Sequence, residues 1–334
     1  MRRATGFPVT LYIFQMPVTR PSRLLVVLCF AAVYILWGST YLGIRLAIET
    51  LPGFLMAGTR FTLAGVILLT WSRLKGERFV SSWSQWRKAL IVGALLLLCG
   101  NGGVTWAEKY VATGLAALLV STEPLWVVIL NWIITRKRPN SKVLLGILIG
   151  LAGVTMLVSD GLLRGNVNSS WLSLVGGGVV ILAALGWAAG SVYSNRHPIS
   201  VSTSMSSGMQ MFSGGCLLLI FALFWGDAGR LNLANASWTS IGAFFYLLVF
   251  GSLVGFTAYS WLLNNVTPAM ATTYAYVNPV VAVFLGWLIA GEPLTRRMLI
   301  AAAVIISSVV LITTFSQEPK PAIHDSQCPT PPCA

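Results

Sequence analysis

The sequence predicts an all-α integral membrane protein with ten transmembrane helices, arranged as two inverted five-helix repeats. Three observations favour this fold class. Of 334 residues, 56% are hydrophobic and 9% are charged, and the mean hydropathy is +0.78, which excludes an ordinary soluble domain. Apolar runs long enough to cross a bilayer recur along most of the chain. The second half of the chain also repeats part of the first.

The apolar runs are far longer than the roughly ten alternating residues of a membrane β-strand. In lipid, runs of about 20 residues must form helices, because only a helix satisfies every backbone polar group within the segment. The ten predicted spans are 24–47, 52–71, 89–107, 113–135, 142–158, 171–194, 204–226, 238–263, 268–290 and 297–315.

Basic residues cluster in the connections between spans, so the net charge of +13 reports membrane topology and not nucleic-acid binding. Roughly fifteen Lys and Arg residues fall on the side of the N-terminus and six on the opposite side. This bias predicts that both termini, including the tails 1–23 and 316–334, are cytoplasmic. The segment after Met1 is too short and too broken for a signal peptide, and Met16 is an alternative start of the chain.

An internal repeat appears when the two halves are superposed with a shift of about 155 residues. The most informative matches are Gly100 with Gly255, Trp106 with Trp261, Pro124 with Pro279 and Trp132 with Trp287. The repeats, 24–158 and 171–315, hold five spans each. An odd number of spans forces the second copy into the membrane upside down, as in many secondary transporters.

Two polar residues that precede prolines are predicted near the bilayer centre. Glu123 is about 15 Å from the outer end of the fourth span, and its repeat mate Asn278 lies about as far from the inner face. Pro124 and Pro279 each remove a backbone hydrogen bond, which predicts a helix kink. Freed carbonyls beside a polar side chain are typical of a midplane substrate site. A kink that serves only helix packing is the alternative.

Glu123 and Arg60 are the candidate charged residues of this site. A carboxylate at a helix centre costs roughly 3 kcal/mol and usually has a function, so we expect Glu123 either to bind a cationic substrate group or to carry a coupling proton. Arg60 lies about 12 Å below the outer face in the second span. It is expected either to face an anionic substrate group or to form a structural ion pair with Glu123.

Polar and aromatic side chains at a similar depth suit a small molecule that is partly apolar and partly polar. They include Trp37, Ser39, Thr40, Tyr41, Asn101, Thr105, Tyr259, Tyr274 and Tyr276. Trp106 and Trp261 lie close to opposite membrane faces. At that depth a tryptophan is either an interfacial anchor or part of a gate.

Several motifs together resemble the EamA family of the drug/metabolite transporter superfamily, and most of all its bacterial inner-membrane exporters. They are WGSTYLGIRLAIE, AGTRFTLAG, STEPLW and AYVNPVVAVFLGW followed by GEPLT. The resemblance covers roughly residues 24–315 and depends on the order and spacing of the motifs.

This resemblance implies a ten-helix inverted-repeat carrier that moves small metabolites, usually outward, across a bacterial inner membrane by alternating access. Amino acids and hydrophobic or amphipathic compounds are the implied substrates. The resemblance also implies a central cavity lined from the first, third, sixth and eighth spans. The residues carried over are Trp37, Tyr41, Asn101, Trp106, Trp187, Tyr193, Tyr259 and Trp261.

Other function classes find less support in the sequence. An intramembrane enzyme would need a nucleophile with a base or a metal site, but the only histidines are His197 and His324, and no HExxH or GxSxG motif is present. No nucleotide-binding loop and no cofactor or metal site is indicated. A channel would favour rings of charge or carbonyls. Uptake in place of export, proton coupling against facilitated diffusion, and the oligomeric state stay open at this stage.

Overall fold

The computed structural model describes residues 22–77, 82–111, 113–164, 171–290 and 296–315. Within these ranges every regular element is a helix. Two short 3₁₀ turns, Ala228–Arg230 and Leu233–Asn235, precede the ninth helix. The helices are α1 (Arg23–Ala47), α2 (Gly53–Leu74), α3 (Trp83–Ala107), α4 (Thr113–Val120), α5 (Glu123–Thr135), α6 (Ser141–Arg164), α7 (Trp171–Arg196), α8 (Thr203–Phe224), α9 (Trp238–Asn265), α10 (Pro268–Ala271), α11 (Tyr274–Ala290) and α12 (Arg296–Phe315).

Six helices of the described ranges are long and apolar enough to cross a membrane: α1, α2, α3, α8, α9 and the Leu174–Arg196 part of α7. Shorter apolar helical stretches are Glu123–Thr135, Ser141–Gly153 and Leu299–Ile312. Large apolar side chains such as those of Leu24, Leu74 and Phe224 are exposed on the bundle surface, as a lipid-facing surface requires. The prediction of an all-helical membrane protein is therefore confirmed. The tails that were predicted to be cytoplasmic lie almost entirely outside the described residues.

The predicted fourth span is interrupted in the structure. Helix α4 ends at Val120, and α5 begins at Glu123 with Pro124 in its first turn. Proline has no amide hydrogen with which to continue α4, but it fits the first turn of a new helix. The Thr122 hydroxyl donates to the Leu119 carbonyl over 2.7 Å, which provides a local hydrogen bond at the interruption.

The predicted ninth span is also interrupted, but not at its proline. Helix α10 ends at Ala271 and α11 begins at Tyr274, whereas Pro279 lies inside α11. The Thr273 hydroxyl donates to the Met270 carbonyl over 2.7 Å. Threonine hydroxyls compete with amides for backbone carbonyls, which accounts for an interruption beside threonine and several residues before the proline.

Helices α3 and α9 each contain a π-helical segment, Ala94–Gly102 and Leu247–Phe256 respectively. Such segments widen a helix and are frequent at functional sites. Two glycines of these segments make room for tryptophan rings: a Cβ atom at Gly100 would overlap Trp187, and one at Gly255 would overlap Trp37. The π segments therefore admit both indoles to the centre of the bundle.

Helices α2 and α8 pack so closely that no side chain fits between their backbones at two glycines. A Cβ atom at Gly65 would overlap the backbone of Phe212, and one at Gly215 would overlap the backbone of Thr62. The contacting residue numbers run in opposite directions, so the two helices are antiparallel. Glycine permits this approach, and close packing provides the van der Waals attraction on which helix association in lipid depends.

Glycines also bring α6 and α12 together. Gly150 lies against Ser308 and Gly153 against Ile305, and the Ser308 hydroxyl donates to the Gly146 carbonyl over 2.7 Å. This pair belongs to a separate apolar cluster, whereas the largest one joins α1, α2, α3, α8, α9 and α11. The main core therefore surrounds the middle of the bundle.

Two acidic residues tie the ends of α2 and α8 to each other. Asp227, beyond the end of α8, accepts hydrogen bonds from the amides of Phe54 and Leu55 over 2.9 and 3.3 Å. Glu77, beyond the end of α2, accepts from the Ser202 hydroxyl over 2.8 Å, and Ser202 is the N-cap of α8. Each acid thus satisfies or orients donors at the first turn of the neighbouring helix.

We expect Gly65→Ala to destabilise the protein by about 1–3 kcal/mol, because its methyl group must displace the α8 backbone. Thermal unfolding in detergent would measure the loss. Gly242→Ala is the matched control, since a Cβ atom there meets nothing within 4 Å while the gain in helix propensity is the same. Equal midpoints for the two variants would contradict the close α2–α8 packing.

Candidate functional site

A cavity of about 80 Å³ lies at the centre of the bundle. One water needs roughly 10–15 Å³ of such space, so the cavity holds several waters or part of a small organic solute. Its walls are formed by Trp37, Thr40, Tyr41, Ile44, Arg60, Phe61, Gly100, Asn101, Val104, Val120, Glu123, Ala183, Ala184, Trp187, Gly251, Phe256, Tyr274 and Asn278. The walls are mostly apolar and aromatic, with a few convergent polar groups, as is typical of small-molecule sites.

Arg60 is the buried cation of the cavity. Its side chain is 3% exposed, and Nη2 donates to Asn101 Oδ1 over 3.0 Å. The guanidinium also lies over the Phe61 ring, 4.2 Å from its centroid. Asn101 belongs to the π-helical segment of α3, which therefore supplies the neutral partner of the cation.

Glu123 is the buried acid of the cavity. It is the first residue of α5, and the Tyr274 hydroxyl donates to Oε2 over 2.7 Å. Oε1 has no hydrogen-bond partner among the described residues. The N-terminal turn of α5 adds favourable backbone dipoles to this buried carboxylate.

No ion pair within 4.0 Å joins Arg60 to Glu123 in the described part of the chain. The structural ion pair that the sequence left open is therefore not formed in this conformation. Asn101 holds the cation and Tyr274 holds the acid, and both partners are uncharged. A charged ligand group makes stronger hydrogen bonds than such neutral partners, so both charges are available to a ligand.

Two further predicted residues lie in the cavity wall beside Glu123. The Asn278 side chain is 2% exposed, and its Oδ1 has no partner among the described residues. The Tyr41 hydroxyl interacts with the Asn278 side chain and lies within electrostatic range of Glu123. Together they give the cavity an amide and a hydroxyl close to its acid.

Four aromatic rings, here called the aromatic cluster, pack at the cavity floor: Trp37, Trp187, Tyr259 and Tyr274. The centroid of Trp37 lies 5.4 Å from that of Trp187, 4.9 Å from that of Tyr259 and 4.8 Å from that of Tyr274. Tyr259 is fully buried and its hydroxyl lies 2.6 Å from Ser191 Oγ. It does not reach the cavity wall; the structure places it in this floor.

Tyr259 of the aromatic cluster lies on the opposite side of the cavity from Arg60 and Asn101. Helix α9 ends on the side of the bundle where α1 begins. Tyr259 is six residues, about 9 Å, before that end of α9. Arg60 and Asn101 are about 10 and 9 Å from the opposite bundle end, counted along α2 and α3. Tyr259 therefore lies between the cavity and the end at which α1 begins.

Three residues that the resemblance assigned to the lining lie elsewhere. Trp106 packs against Tyr110 near the end of α3, with ring centroids 5.0 Å apart. Tyr193 stacks on His197 at the end of α7, at 4.5 Å. Trp261 is half-buried against the main core. None of the three is in the cavity wall.

Comparison with known proteins agrees with this membrane fold. The model of the EamA-like transporter family matches residues 24–159 and 174–314. The chain belongs to this family. The resemblance found in the sequence is therefore confirmed, and the protein is an EamA-family membrane transporter.

Individual relatives of this transporter are found in several organisms. YedA, an uncharacterised inner membrane transporter of Escherichia coli strain K12, is 41% identical over 283 residues, which are 84% of this chain and 88% of YedA. YoaV, an uncharacterised transporter of Bacillus subtilis strain 168, is 27% identical over 87% of this chain and 98% of its own. One crystal structure superposes with a TM-score of 0.70 at 18% identity, covering 88% of this chain and 99% of the other.

The sequence analysis missed one buried acid of this EamA-family protein, Glu108. It follows α3 directly and is fully buried, and neither carboxylate oxygen has a hydrogen-bond partner among the described residues. Burial raises the pKa of Glu108 well above its usual range, and the nearby Arg45 guanidinium lowers it in part. Glu108 directly follows the apolar run of the third predicted span, and an acid in that position is the signal that could have found it.

We expect Glu108→Gln to raise the thermal midpoint at pH 8 and to have less effect at pH 5. A pKa raised by folding means that the native state binds the proton more tightly than the unfolded state. The carboxyl group therefore costs stability as pH rises above its unfolded pKa, and glutamine removes that cost. The exposed Glu49, as Glu49→Gln, is the control. A Glu108→Gln effect that does not change with pH would contradict this account.

Proposed function

We propose that this protein is a secondary carrier that exports small metabolites, namely amino acids or other amphipathic compounds, by alternating access. The observation that carries the proposal is the central cavity, in which Arg60 and Glu123 have separate neutral partners and no ion pair with each other. A zwitterion would satisfy both charges at once. The aromatic walls beside them suit the apolar part of such a solute.

We further propose the ten-helix architecture with two inverted repeats, 24–158 and 171–315, and with tails 1–23 and 316–334. Equivalent features recur in both halves. A glycine with positive φ precedes each tethering acid, Gly76 before Glu77 and Gly226 before Asp227. Helices α3 and α9 begin at Trp83 and Trp238, 155 residues apart, and both contain π-helical segments. The two family matches support the same boundaries.

The contacts of the tryptophan pair also support the repeat. Trp37 of the first half packs on Gly255 of the second, and Trp187 of the second packs on Gly100 of the first. The contacts are reciprocal, because each tryptophan packs on the π-segment glycine of the other half. A two-fold relation of this kind lets the halves exchange roles, so that the cavity opens alternately towards either face.

The proposed location is a bacterial inner membrane, with both termini in the cytoplasm. YedA, an inner membrane transporter of a bacterium, supports the location, and the excess of Lys and Arg in the connections supports the orientation. With this orientation the aromatic cluster closes the cavity towards the cytoplasm. Export is proposed from the resemblance of the sequence to bacterial exporters; uptake is the alternative that the flux experiment below separates from it.

Glu123 is proposed to bind the ammonium group of the substrate and to carry the coupling proton in the other half of the cycle. Its Oε1 is unpartnered in the described residues, so a proton or an N–H donor finds a free acceptor there. A carboxylate that takes either ligand, but not both, couples the two fluxes in opposite directions. Transport by this route requires no catalytic chemistry.

We expect Glu123→Gln to lower gradient-driven flux at least about tenfold, because glutamine cannot exchange a proton and loses a charge-assisted bond. Purified wild type and variant would be compared in oriented proteoliposomes at two pH gradients, with a panel of radiolabelled amino acids and amphipathic drugs. The exposed Glu49→Gln serves as the control.

Each outcome of that assay separates two interpretations. Full gradient-dependent flux in Glu123→Gln would contradict the proton role. Wild-type flux that ignores the gradient would indicate facilitated diffusion, with Glu123 limited to binding. Flux driven only into the cytoplasmic side would indicate uptake, and flux that does not saturate would indicate a channel. No flux of any compound would contradict the metabolite-carrier proposal.

We expect Arg60→Gln to raise the KM for L-phenylalanine by about tenfold or more, because the substrate carboxylate loses a charged partner. The KM for 2-phenylethylamine, which has no carboxylate, should change little. Both values come from initial rates in proteoliposomes. An equal rise for both compounds would show that Arg60 supports the fold of the site and does not recognise a carboxylate.

A further inference from the structure

We propose that Tyr274 couples the occupancy of Glu123 to the aromatic cluster, and that it thereby selects substrates whose ammonium group carries N–H donors. The inference rests on the proposed carrier function and goes beyond it, since it assigns a positioning residue and a substrate requirement. Tyr274 is 4% exposed and lines the cavity with the same ring that packs in the cluster.

Tyr274 has two attachments. Its hydroxyl donates to Glu123 Oε2 over 2.7 Å. Its ring meets Trp37 edge-on at 4.8 Å and Tyr259 edge-on at 5.5 Å. The position of one side chain therefore depends both on the state of the carboxylate and on the packing of the cavity floor.

Both residues of this hydrogen bond, Glu123 and Tyr274, directly follow helix interruptions. Glu123 begins α5 after the interruption at 121–122, and Tyr274 begins α11 after the interruption at 272–273. The neighbouring Thr273 hydroxyl lies 2.7 Å from the Tyr34 hydroxyl of α1. A continuous helix resists local rotation, whereas these interruptions allow Tyr274 and Glu123 to separate without unwinding a full span.

The ammonium group of a substrate and the Tyr274 hydroxyl compete for the Glu123 carboxylate. An ammonium group with several N–H donors reaches the unpartnered Oε1 and also bonds Oε2, because charged donors bind a carboxylate more strongly than a neutral hydroxyl does. Tyr274 is then displaced and its ring loses the anchor that holds it in the cluster. A quaternary ammonium is attracted to the aromatic faces, but it has no N–H, so the tyrosine hydroxyl stays on Oε2.

The consequence is a difference between binding and transport. A primary amine binds, releases Tyr274 and loosens the floor of the cavity, so it is transported. Its trimethylated analogue binds in the same walls, leaves Tyr274 in place and is held without being transported.

The test uses L-phenylalanine and N,N,N-trimethyl-L-phenylalanine, which share the ring and the carboxylate and differ in their N–H donors. Wild type, Tyr274→Phe and Tyr259→Phe would be compared. Both variants remove one hydroxyl from the aromatic cluster, but that of Tyr259 faces Ser191 and not Glu123. Binding would be measured by equilibrium dialysis of purified protein, and transport by flux into proteoliposomes.

We expect wild type to bind both compounds and to transport phenylalanine at least about tenfold faster than its trimethyl analogue, the ratio expected for one charge-assisted hydrogen bond. Tyr259→Phe should keep this ratio whatever its absolute rates are, because its hydroxyl bonds Ser191 and not Glu123. In Tyr274→Phe the transport ratio should fall close to one, with binding of both compounds retained. Loss of hydroxyl packing alone would affect the two tyrosine variants alike, so the ratio separates a positioning role from a structural one.

An unchanged transport ratio in Tyr274→Phe, with phenylalanine still bound and transported, would overturn this inference and leave the carrier function intact. No binding or flux of either compound in wild type would overturn both. Wild type supplies a second measurement if the variant does not fold: tryptophan emission, to which Trp37 and Trp187 contribute, should change on binding phenylalanine and not on binding its trimethyl analogue. Equal changes for both compounds would contradict the displacement of Tyr274.

Discussion

A bilayer core offers no hydrogen-bond partner to an exposed backbone, and this constraint decides where the chain can depart from an α-helix. The departures are the interruptions at 121–122 and 272–273 and the π-helical segments of α3 and α9. All of them border the central cavity or its aromatic floor. They also supply its chemistry, since Glu123 and Tyr274 follow the interruptions and Asn101 lies in a π segment. Irregular backbone and the polar side chains of the cavity therefore coincide.

The same low dielectric makes the two buried charges of the cavity costly, and the fold meets that cost with uncharged partners. An ion pair between Arg60 and Glu123 would have neutralised the site and left a ligand little to gain. Asn101 and Tyr274 keep the charges apart while satisfying part of their hydrogen bonding. The proposed binding of a zwitterion and the proposed role of Tyr274 both follow from this arrangement. When a charged ligand binds, Arg60 and Glu123 replace their hydrogen bonds to uncharged partners with stronger bonds to charged groups.

Depth in the membrane could be predicted from the sequence, whereas contact partners could not. Glu123 and Arg60 were identified because charges within apolar spans are rare and expensive, and both lie in the cavity wall. Trp106, Tyr193 and Trp261 lie outside it, since a place in the right span does not fix the depth and direction of a side chain. The interruption of the ninth span lies beside Thr272 and Thr273, where hydroxyls bond to the backbone, and not at Pro279, which is inside α11. Glu108 escaped notice because it stands just beyond the end of an apolar run.

By itself the sequence determined the membrane class and the helical content, because the length of an apolar segment decides whether it can cross the bilayer as a helix. The order and spacing of its motifs determined the family. The sequence also determined the residues able to carry charge at the centre. Only the tertiary structure decided which neutral partner each charge receives, which aromatic rings close the floor and where two helices break. The partners and the floor depend on contacts between residues far apart in the sequence, such as Arg60 with Asn101 and Tyr274 with Glu123. No local pattern specifies which of several candidate partners packing will bring within hydrogen-bonding distance.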